Sequence, residues 1–205
     1  MNIIVFGASG GVGQEVVKQA LEQGHTVTAF VRDRSRLSVP QQSNLKITEG
    51  DGLNQQAVAQ AIHGHDCVIC CVGSRGGGKT TLMSDITRNI ISGMEQAQVE
   101  RIAYVASAGI HRELSGIAGR FVEFLLRNPL ADHRRSYELL KNSSLKWTVA
   151  RPMQLTNGDK KAAYRETDTG IAHGGTKISR ADTAHFLLKA VAADAYIHQS
   201  IGLAY

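Results

Sequence analysis

Closely spaced glycines directly follow an apolar run at the start of the chain. The run is Asn2-Ile3-Ile4-Val5-Phe6, and the turn after it is Gly7-Ala8-Ser9-Gly10-Gly11-Val12-Gly13. Apolar residues then recur at helical spacing as far as Leu21, and Gly24 ends the pattern. Glycine lets the backbone approach a ligand, and the N-terminus of the next helix presents free N–H groups to an anion. Strand, glycine turn and helix in this order predict a site for the pyrophosphate of a dinucleotide, with a purely structural turn as the alternative.

Three arginines after the second apolar run indicate which dinucleotide. The run His25–Val31 is followed by Arg32, Arg34 and Arg36. An acidic residue here would hold the ribose 2′-hydroxyl of NAD, whereas arginine suits the 2′-phosphate of NADP because the guanidinium fork matches phosphate geometry. The sequence therefore favours NADP(H) over NAD(H), and Asp33 keeps NAD open as the alternative.

A second glycine-rich segment matches the P-loop pattern G-x-x-x-x-G-K-[ST]. It runs from Gly73 to Thr80 and lies between a predicted strand and a predicted helix. Taken alone it predicts a nucleotide triphosphatase. No apolar strand ends in the aspartate that would help to hold magnesium, and the first strand already carries the other glycine turn. We interpret the segment as a wall of the dinucleotide cleft.

Two further patterns bear on catalysis. Tyr137 and Lys141 spell Y-x-x-x-K and would share one helix face. Ser107 ends the fifth predicted strand, and ligands of doubly wound sheets lie beyond the carboxyl ends of the strands. Ser107 is therefore our candidate catalytic residue, with a strand-end cap as its structural alternative.

The three cysteines Cys67, Cys70 and Cys71 are clustered near His63 and His65. No second Cys/His pair completes a tetrahedral set, so we expect no metal site. The cysteines lie in an apolar strand, where they behave as small hydrophobes. An odd, crowded set of thiols fits a reducing, cytoplasmic location better than a disulfide framework.

Strand and helix patterns alternate along most of the chain. The predicted strands are Asn2–Phe6, His25–Val31, Leu45–Glu49, Asp66–Val72, Arg101–Ala106 and Lys146–Ala150. Helical patterns lie between them, with a helix at Asp132–Asn142 and a last one that Ser179 caps and that runs through Ala192. Fully apolar strands alternating with amphipathic helices predict an α/β fold, a doubly wound and mostly parallel sheet with helices on both faces.

Composition agrees with one domain spanning residues 1–205. The chain is 42% hydrophobic and 20% charged, with a net charge of +5. No apolar run is long enough to cross a membrane, and no basic run is interleaved with aromatic residues. We therefore expect neither a membrane nor a nucleic-acid partner, and a monomer or small homo-oligomer.

Two segments interrupt the alternation and are assigned to the substrate side. Residues 108–131 include an apolar patch at Phe121–Leu126, which is either packed on the body or a flap. The second segment is residues 153–178, and its polar, glycine-rich part Thr156–Lys177 is expected to hold a short hairpin.

Together these motifs resemble the atypical short-chain dehydrogenase/reductase superfamily, in the branch of NmrA-like proteins and flavin reductases of the biliverdin reductase B type. The resemblance covers nearly the whole chain and is most specific at Phe30–Leu37. It also rests on the first glycine turn, Glu49–Gly52, Val72–Arg75, Ser107, Leu139–Pro152 and Ile178–Asp182. It implies a Rossmann domain that binds NADP(H) and passes hydride to a small planar acceptor, a flavin or a tetrapyrrole.

The resemblance also implies a role for individual residues. Arg32, Ser35 and Arg36 would hold the 2′-phosphate, and Asp51 and Gly52 would flank the adenine. The ribose and pyrophosphate would run along Cys71, Val72, Gly73 and Arg75. Ser107, Pro152 and Met153 would border the nicotinamide.

Two departures from the family pattern bear on activity. Aligning Glu138–Leu145 with the family puts Leu130 and Arg134 at the tyrosine and lysine positions, so Tyr137 and Lys141 fall out of register. Gln154 stands where the biliverdin reductase B pattern has a histidine, which disfavours a tetrapyrrole more than a flavin. The sequence thus predicts an NADPH-dependent reductase of a flavin or quinone, with a non-catalytic NADP(H)-binding regulator as the alternative.

Overall fold

A computed structural model of the chain describes residues 1–73, 76, 78–114, 116–193 and 195–205, with Ala118 described by its backbone alone. The strands are β1 Asn2–Phe6, β2 Thr26–Val31, β3 Leu45–Glu49, β4 Cys67–Cys70, β5 Arg101–Val105, β6 Lys146–Pro152, β7 Gln154–Thr156, β8 Arg165–Thr167, β9 Lys177–Ser179 and β10 Gln199–Ala204. The helices are α1 Gly11–Glu22, α2 Gln55–Ile62, α3 Leu82–Ala97, α4 Gly116–Leu125, α5 Arg127–Lys141 and α6 Arg180–Ala192, with a 3₁₀ turn at Arg34–Arg36.

The main sheet has the strand order β3-β2-β1-β4-β5-β6-β10-β8. Its strand pairs are parallel except β8 against β10, which confirms the doubly wound Rossmann fold. The order reverses at β1, which pairs with β2 on one side and β4 on the other. Phe6 lies opposite Phe30 on β2 and Cys70 on β4, so all three strands end at one edge. A ligand crevice is expected at such a reversal.

The sheet is buried on both faces, which explains its continuous apolar strands. Alternate residues of β1 point to opposite sides. Ile3 and Val5 belong to the core packed under α1 and α6, whereas Ile4 and Phe6 belong to the core under α2, α3 and α5. All four side chains are at most 1% exposed.

Helix α5 begins at Arg127, so the predicted start at Asp132 is wrong. Asp132, the predicted first residue, lies within the helix. Its carboxylate instead accepts hydrogen bonds from Met83 and Ser84 at the start of α3. Pro129 is compatible with an earlier start because proline fits the first turn of a helix.

The C-terminal third differs most from the prediction. The expected hairpin is wrong: β7 and β9 pair in parallel as a separate two-stranded sheet, while β8 joins the main sheet. Strand β10 was not predicted at all, because Gly202 interrupts its short apolar pattern. Its Ile201 and Leu203 are buried only because β10 lies beside β6.

Helix α4 lies in the segment that interrupts the alternation and exposes most of its large apolar side chains. Ile117 is 91% exposed, and Phe121 and Phe124 are each 61% exposed. The apolar patch is therefore not buried against the body of the domain, which was one of the two alternatives, and the flap stays a prediction. Among the described residues, no helix is both long enough and apolar enough to span a membrane.

Candidate functional site

A cleft of about 330 Å³ opens at the carboxyl ends of β1, β2 and β4. It lies at the reversal of strand order, where the first glycine turn and Gly73 face the arginines after β2. Its walls are formed by Phe6, Gly7, Ser9, Gly10, Phe30, Val31, Arg32, Arg36, Gly50, Asp51, Gly52, Cys71, Val72, Gly73, Leu82 and Ile86.

The glycines of the first turn are required by close backbone contacts. Gly7 has a φ of +73°, and a Cβ there would lie 2.7 Å from the carbonyl carbon of Cys71. A Cβ on Gly13 would overlap the Gly7 carbonyl oxygen, which also accepts a hydrogen bond from Gly10 N at 2.9 Å. Only glycine at positions 7 and 13 lets β1 pass into α1 at the edge of the cleft.

The first turn of α1 leaves its N–H groups available to a ligand. Gly10 is the N-cap and has no side chain to accept from them. The turn is braced from outside the cleft by Gln14, whose side chain donates to Ser9 O at 3.1 Å. Buried Ala8, Val12 and Gly13 form the turn without lining the cleft, and Gly11 lies at its exposed outer side.

Arg32 and Arg36 line the cleft where β2 ends, whereas Asp33 is engaged elsewhere. Asp33 Oδ1 accepts from the Ser35 hydroxyl at 2.6 Å and from Ser35 N at 3.0 Å. These hydrogen bonds lower the pKa of Asp33. Ser35 lies outside the cleft walls, with its hydroxyl directed to Asp33.

The opposite wall carries the residues assigned to the adenine side. Asp51 Oδ1 accepts from Leu53 N at 3.0 Å, which fixes the tight turn after β3. A Cβ on Gly52 would lie 3.0 Å from Ile86 Cδ1, so this residue packs directly against α3. Cys71, Val72 and Gly73 line the cleft as expected, and the predicted Arg75 lies outside the described residues.

Ser107, Pro152 and Met153 are close to one another but do not line this cleft. The loop after β5 is joined to the end of β6, because Ala108 N donates to Pro152 O at 3.0 Å. The Ser107 hydroxyl donates to Ala108 O at 3.0 Å. This contact is the one expected if Ser107 caps the end of β5 and has no catalytic role. Met153 N donates to Leu203 O, so β10 fixes this border.

The positions of the catalytic tyrosine and lysine in the family frame carry no acid–lysine pair. Leu130 packs its Cδ1 on Gly109, and the Arg134 guanidinium donates to the carbonyl oxygens of Gly109 at 2.9 Å and Ile110 at 2.7 Å. Both residues therefore brace the loop after Ser107. Tyr137 packs between His111 and Trp147, at ring-centroid distances of 4.8 and 5.7 Å.

The start of α3, which follows the P-loop-like segment, is capped by a buried carboxylate. Asp132 accepts from Met83 N at 2.9 Å and from Ser84 N at 3.2 Å, so two N–H groups at the start of α3 are already satisfied. Ser74, Arg75 and Gly77 of the motif lie outside the described residues. A phosphate at the start of α3 would have to displace the Asp132 carboxylate, which disfavours the triphosphatase interpretation.

The cysteines are structural thiols. Burial raises the pKa of Cys67 and of Cys70 to about 12, and desolvation raises that of Cys71 well above its usual value. They therefore stay protonated at neutral pH. No group of three or more metal-ligating side chains occurs within the described part of the chain.

Arg180 reaches the glycine turn from the far end of the chain and was not predicted as a site residue. Its Cδ would lie 2.5 Å from a Cβ on Gly11. Its Nη1 donates to Asn157 Oδ1 at 2.5 Å. The sequence feature that could have indicated this contact is Gly11, a glycine that the G-x-x-G-x-x-G spacing does not require.

Comparisons with known proteins agree with this geometry. An NAD(P)H-binding family model matches residues 7–194. YwnB of Bacillus subtilis, itself uncharacterised, is 28% identical over 198 residues, which are 90% of this chain and 89% of YwnB. The chain is also 26% identical to the chloroplastic TIC 62 of Arabidopsis thaliana, with 80% of this chain but only 28% of that longer protein covered.

Solved structures show the same fold. A Rossmann-fold NAD(P)-binding family protein from Shigella flexneri has 25% identity and a TM-score of 0.79, with 98% of this chain and 92% of that one covered. A short-chain dehydrogenase/reductase from Veillonella parvula, solved in complex with NADP, has a TM-score of 0.87 at 19% identity, with coverage of 100% and 94%.

ChuY, an anaerobilin reductase from Escherichia coli O157:H7, has a TM-score of 0.83 at 22% identity, with coverage of 100% and 97%. The family match covers the glycine turn, the arginines after β2 and the start of α6. The chain belongs to the NAD(P)H-binding family of Rossmann-fold proteins.

Proposed function

We propose that the protein is an NADPH-dependent reductase that transfers hydride to a planar acceptor such as a flavin or a quinone. The observation that carries the cofactor preference is the wall after β2. Arg32 and Arg36 line the cleft there, while the Asp33 carboxylate is held by Ser35. A free carboxylate at this position would favour the 2′-hydroxyl of NAD, and paired guanidinium groups favour a 2′-phosphate.

The acceptor class follows from which proton donors are present. When bound, the nicotinamide cofactor supplies a hydride. Reduction of a carbonyl substrate also needs a nearby acid, but Leu130 has no proton to give and Arg134 is committed to two backbone carbonyls. A flavin or quinone can take its proton from water after hydride transfer, so it requires no such residue. Gln154 in place of a histidine makes a tetrapyrrole the less favoured acceptor.

The acceptor side of the site would be built from residues 108–131 and 153–178. The loop after Ser107 and the border at Pro152 and Met153 are joined by the Ala108–Pro152 hydrogen bond. The exposed apolar side chains of α4, including Phe121 and Phe124, would offer contact area to an aromatic ring.

The proposal is tested in two stages. Thermal unfolding is followed with NADP⁺ and with NAD⁺ at equal concentrations, and NADP⁺ should raise the Tm more. NADPH oxidation is then measured with FMN, FAD and several quinones. A larger Tm increase with NAD⁺ would contradict the preference for NADP(H). No NADPH oxidation with any acceptor would contradict the reductase activity.

The second candidate is a non-catalytic NADP(H)-binding regulator, which the missing acid–lysine pair favours. It predicts tight NADP⁺ binding, no turnover with any acceptor, and a partner protein whose binding depends on the cofactor. Turnover with a flavin would exclude it.

A further inference from the structure

Arg180 connects the two ends of the chain at the glycine turn. It is the first residue of α6, and its side chain crosses the outer face of Gly11, the first residue of α1. A Cβ on Gly11 would lie 2.5 Å from Arg180 Cδ and 2.6 Å from Arg180 Nε. Glycine at position 11 therefore leaves the space through which this arginine reaches the start of α1.

The backbone that carries Arg180 is fixed by several hydrogen bonds. Ser179 caps α6 by accepting from Asp182 N at 2.9 Å. Asp182 Oδ1 in turn accepts from Lys161 N and Ala162 N. Buried Gln19 on α1 donates to Ala181 O at 2.8 Å, which ties the start of α6 to α1. The guanidinium is thus held near Gly11 by an ordered frame.

Arg180 has no carboxylate partner among the described residues, because Asp182, the acidic residue in the first turn of α6, accepts instead from Lys161 N, Ala162 N and the Tyr205 hydroxyl. Arg180 lies at the positive N-terminal ends of both α1 and α6. No ion pair joins it to a described carboxylate, and its hydrogen-bond partner Asn157 is neutral. Like charges at a helix terminus oppose one another, so this arrangement becomes favourable when an anion binds.

We propose that Arg180 is a cofactor-binding residue that contacts the pyrophosphate, with Gly11 required to let it pass and Asn157 orienting it. The inference rests on the proposed binding of a dinucleotide. It divides the anionic groups of the cofactor between two basic elements. Arg32 and Arg36 serve the 2′-phosphate, and Arg180 serves the pyrophosphate at the start of α1.

Nucleotide fragments separate the two elements. ADP carries the pyrophosphate without a 2′-phosphate, and 2′-AMP carries only the 2′-phosphate. By isothermal titration calorimetry, Arg180→Ala should weaken ADP and NADP⁺ about tenfold and leave 2′-AMP within twofold. Arg32→Ala should weaken 2′-AMP binding about tenfold and leave ADP binding within twofold. Arg180→Lys should recover part of the ADP affinity, and Lys177→Ala serves as an exposed cationic control.

Gly11 provides a second, independent test. Its φ is not in the left-handed region, so Gly11→Ala introduces no backbone strain. The added Cβ would contact only the Arg180 side chain. Gly11→Ala should weaken ADP in the natural protein but have little further effect in Arg180→Ala. Equal losses in both backgrounds would show that position 11 acts without Arg180 and would overturn the inference.

The remaining outcomes distinguish this inference from the proposed function. If the natural protein binds neither NADP⁺ nor NAD⁺, the proposed function fails and this inference fails with it. If the natural protein binds NADP⁺ and Arg180→Ala binds ADP unchanged, only the role of Arg180 is overturned. If Arg180→Ala lowers the ligand-free Tm and weakens ADP and 2′-AMP equally, Arg180 is a structural link between α1 and α6 and the inference is likewise overturned.

Discussion

The Asp132 carboxylate accepts a hydrogen bond of 2.6 Å from the Ser84 hydroxyl at the start of α3. The carboxylate is fully buried, and it also accepts from Met83 N and Ser84 N. A residue of α5 therefore caps α3. This contact joins the two helices and satisfies N–H groups at the start of α3 that a bound phosphate would otherwise use.

Replacing Asp132 should test this cap. Asp132→Ala leaves the N–H groups of Met83 and Ser84 without their acceptor, while the Ser84 hydroxyl keeps the Thr81 carbonyl oxygen as a partner. We expect the free energy of unfolding to fall by about 2–3 kcal/mol. Urea unfolding measures the change. Asp85→Ala, at a half-buried position on the first turn of the same helix, removes an ion pair with Arg88 and should change it by no more than about 1 kcal/mol. Equal effects of the two variants would contradict the capping role.

The arginines after β2 should determine which dinucleotide binds. Arg32→Ala or Arg36→Ala removes a charge-assisted contact of about 1.5–3 kcal/mol, so the Kd for NADPH should rise at least tenfold. The Kd for NADH should change little, because NADH has no 2′-phosphate. Arg34→Ala is the matched control, since Arg34 belongs to the same 3₁₀ turn but lies outside the cleft wall. A similar loss for both cofactors would argue against the 2′-phosphate assignment.

The glycine turn should not tolerate a methyl group at position 13. Gly13→Ala forces a Cβ into the Gly7 carbonyl oxygen, which separates β1 from α1 and should lower stability by about 2–3 kcal/mol. Cofactor binding should weaken with it. At Gly158 the nearest atoms to a Cβ lie 3.8 Å away, so Gly158→Ala should be nearly neutral. Comparison of the two by thermal unfolding and NADP⁺ titration checks the prediction.

The two candidate catalytic hydroxyls should behave differently. Tyr137 packs between His111 and Trp147, so Tyr137→Phe should keep NADPH oxidation within about twofold of the natural protein. Ser107→Ala should lower kcat about three- to tenfold if its hydroxyl turns from Ala108 O to the nicotinamide. A large loss in Tyr137→Phe would restore the Y-x-x-x-K interpretation.

Acid should destabilise the protein through His133. Burial lowers the pKa of His133 from 6.5 to about 4, and its Nδ1 lies 3.0 Å from the Tyr104 hydroxyl. The unfolded chain therefore binds more protons than the native one between these pH values, so stability falls as the pH drops through that window. The shift corresponds to about 3 kcal/mol.

The variant His133→Gln isolates this contribution. Its free energy of unfolding should depend less on pH between 6.5 and 4 than that of the natural protein. Other partly buried histidines, such as His111, have pKa values lowered in the same direction, so the difference between the two proteins is the relevant quantity. His63→Gln, at an exposed position, should leave the pH profile unchanged. An unaltered profile in His133→Gln would contradict the assignment.

Local sequence was sufficient to predict the part of the site that belongs to continuous segments. The glycine turn follows β1 directly, and Arg32 follows β2 directly, so the period of the apolar residues and the parallel sheet put both at one edge. The alternation of apolar strands and helices predicted the doubly wound fold for the same reason. Each of these features depends on neighbours within a few residues.

Only the tertiary structure decided the features made by distant segments. Asp132 was expected to open its own helix, yet it caps α3. Strand β10 is buried because β6 lies beside it, and Arg180 reaches Gly11 because α6 packs on α1. A single residue type at one position does not specify its partner when that partner is far along the chain. The sequence by itself determined a Rossmann domain with a basic dinucleotide cleft. The folded chain decided which buried carboxylate caps α3 and which arginine reaches the first glycine turn.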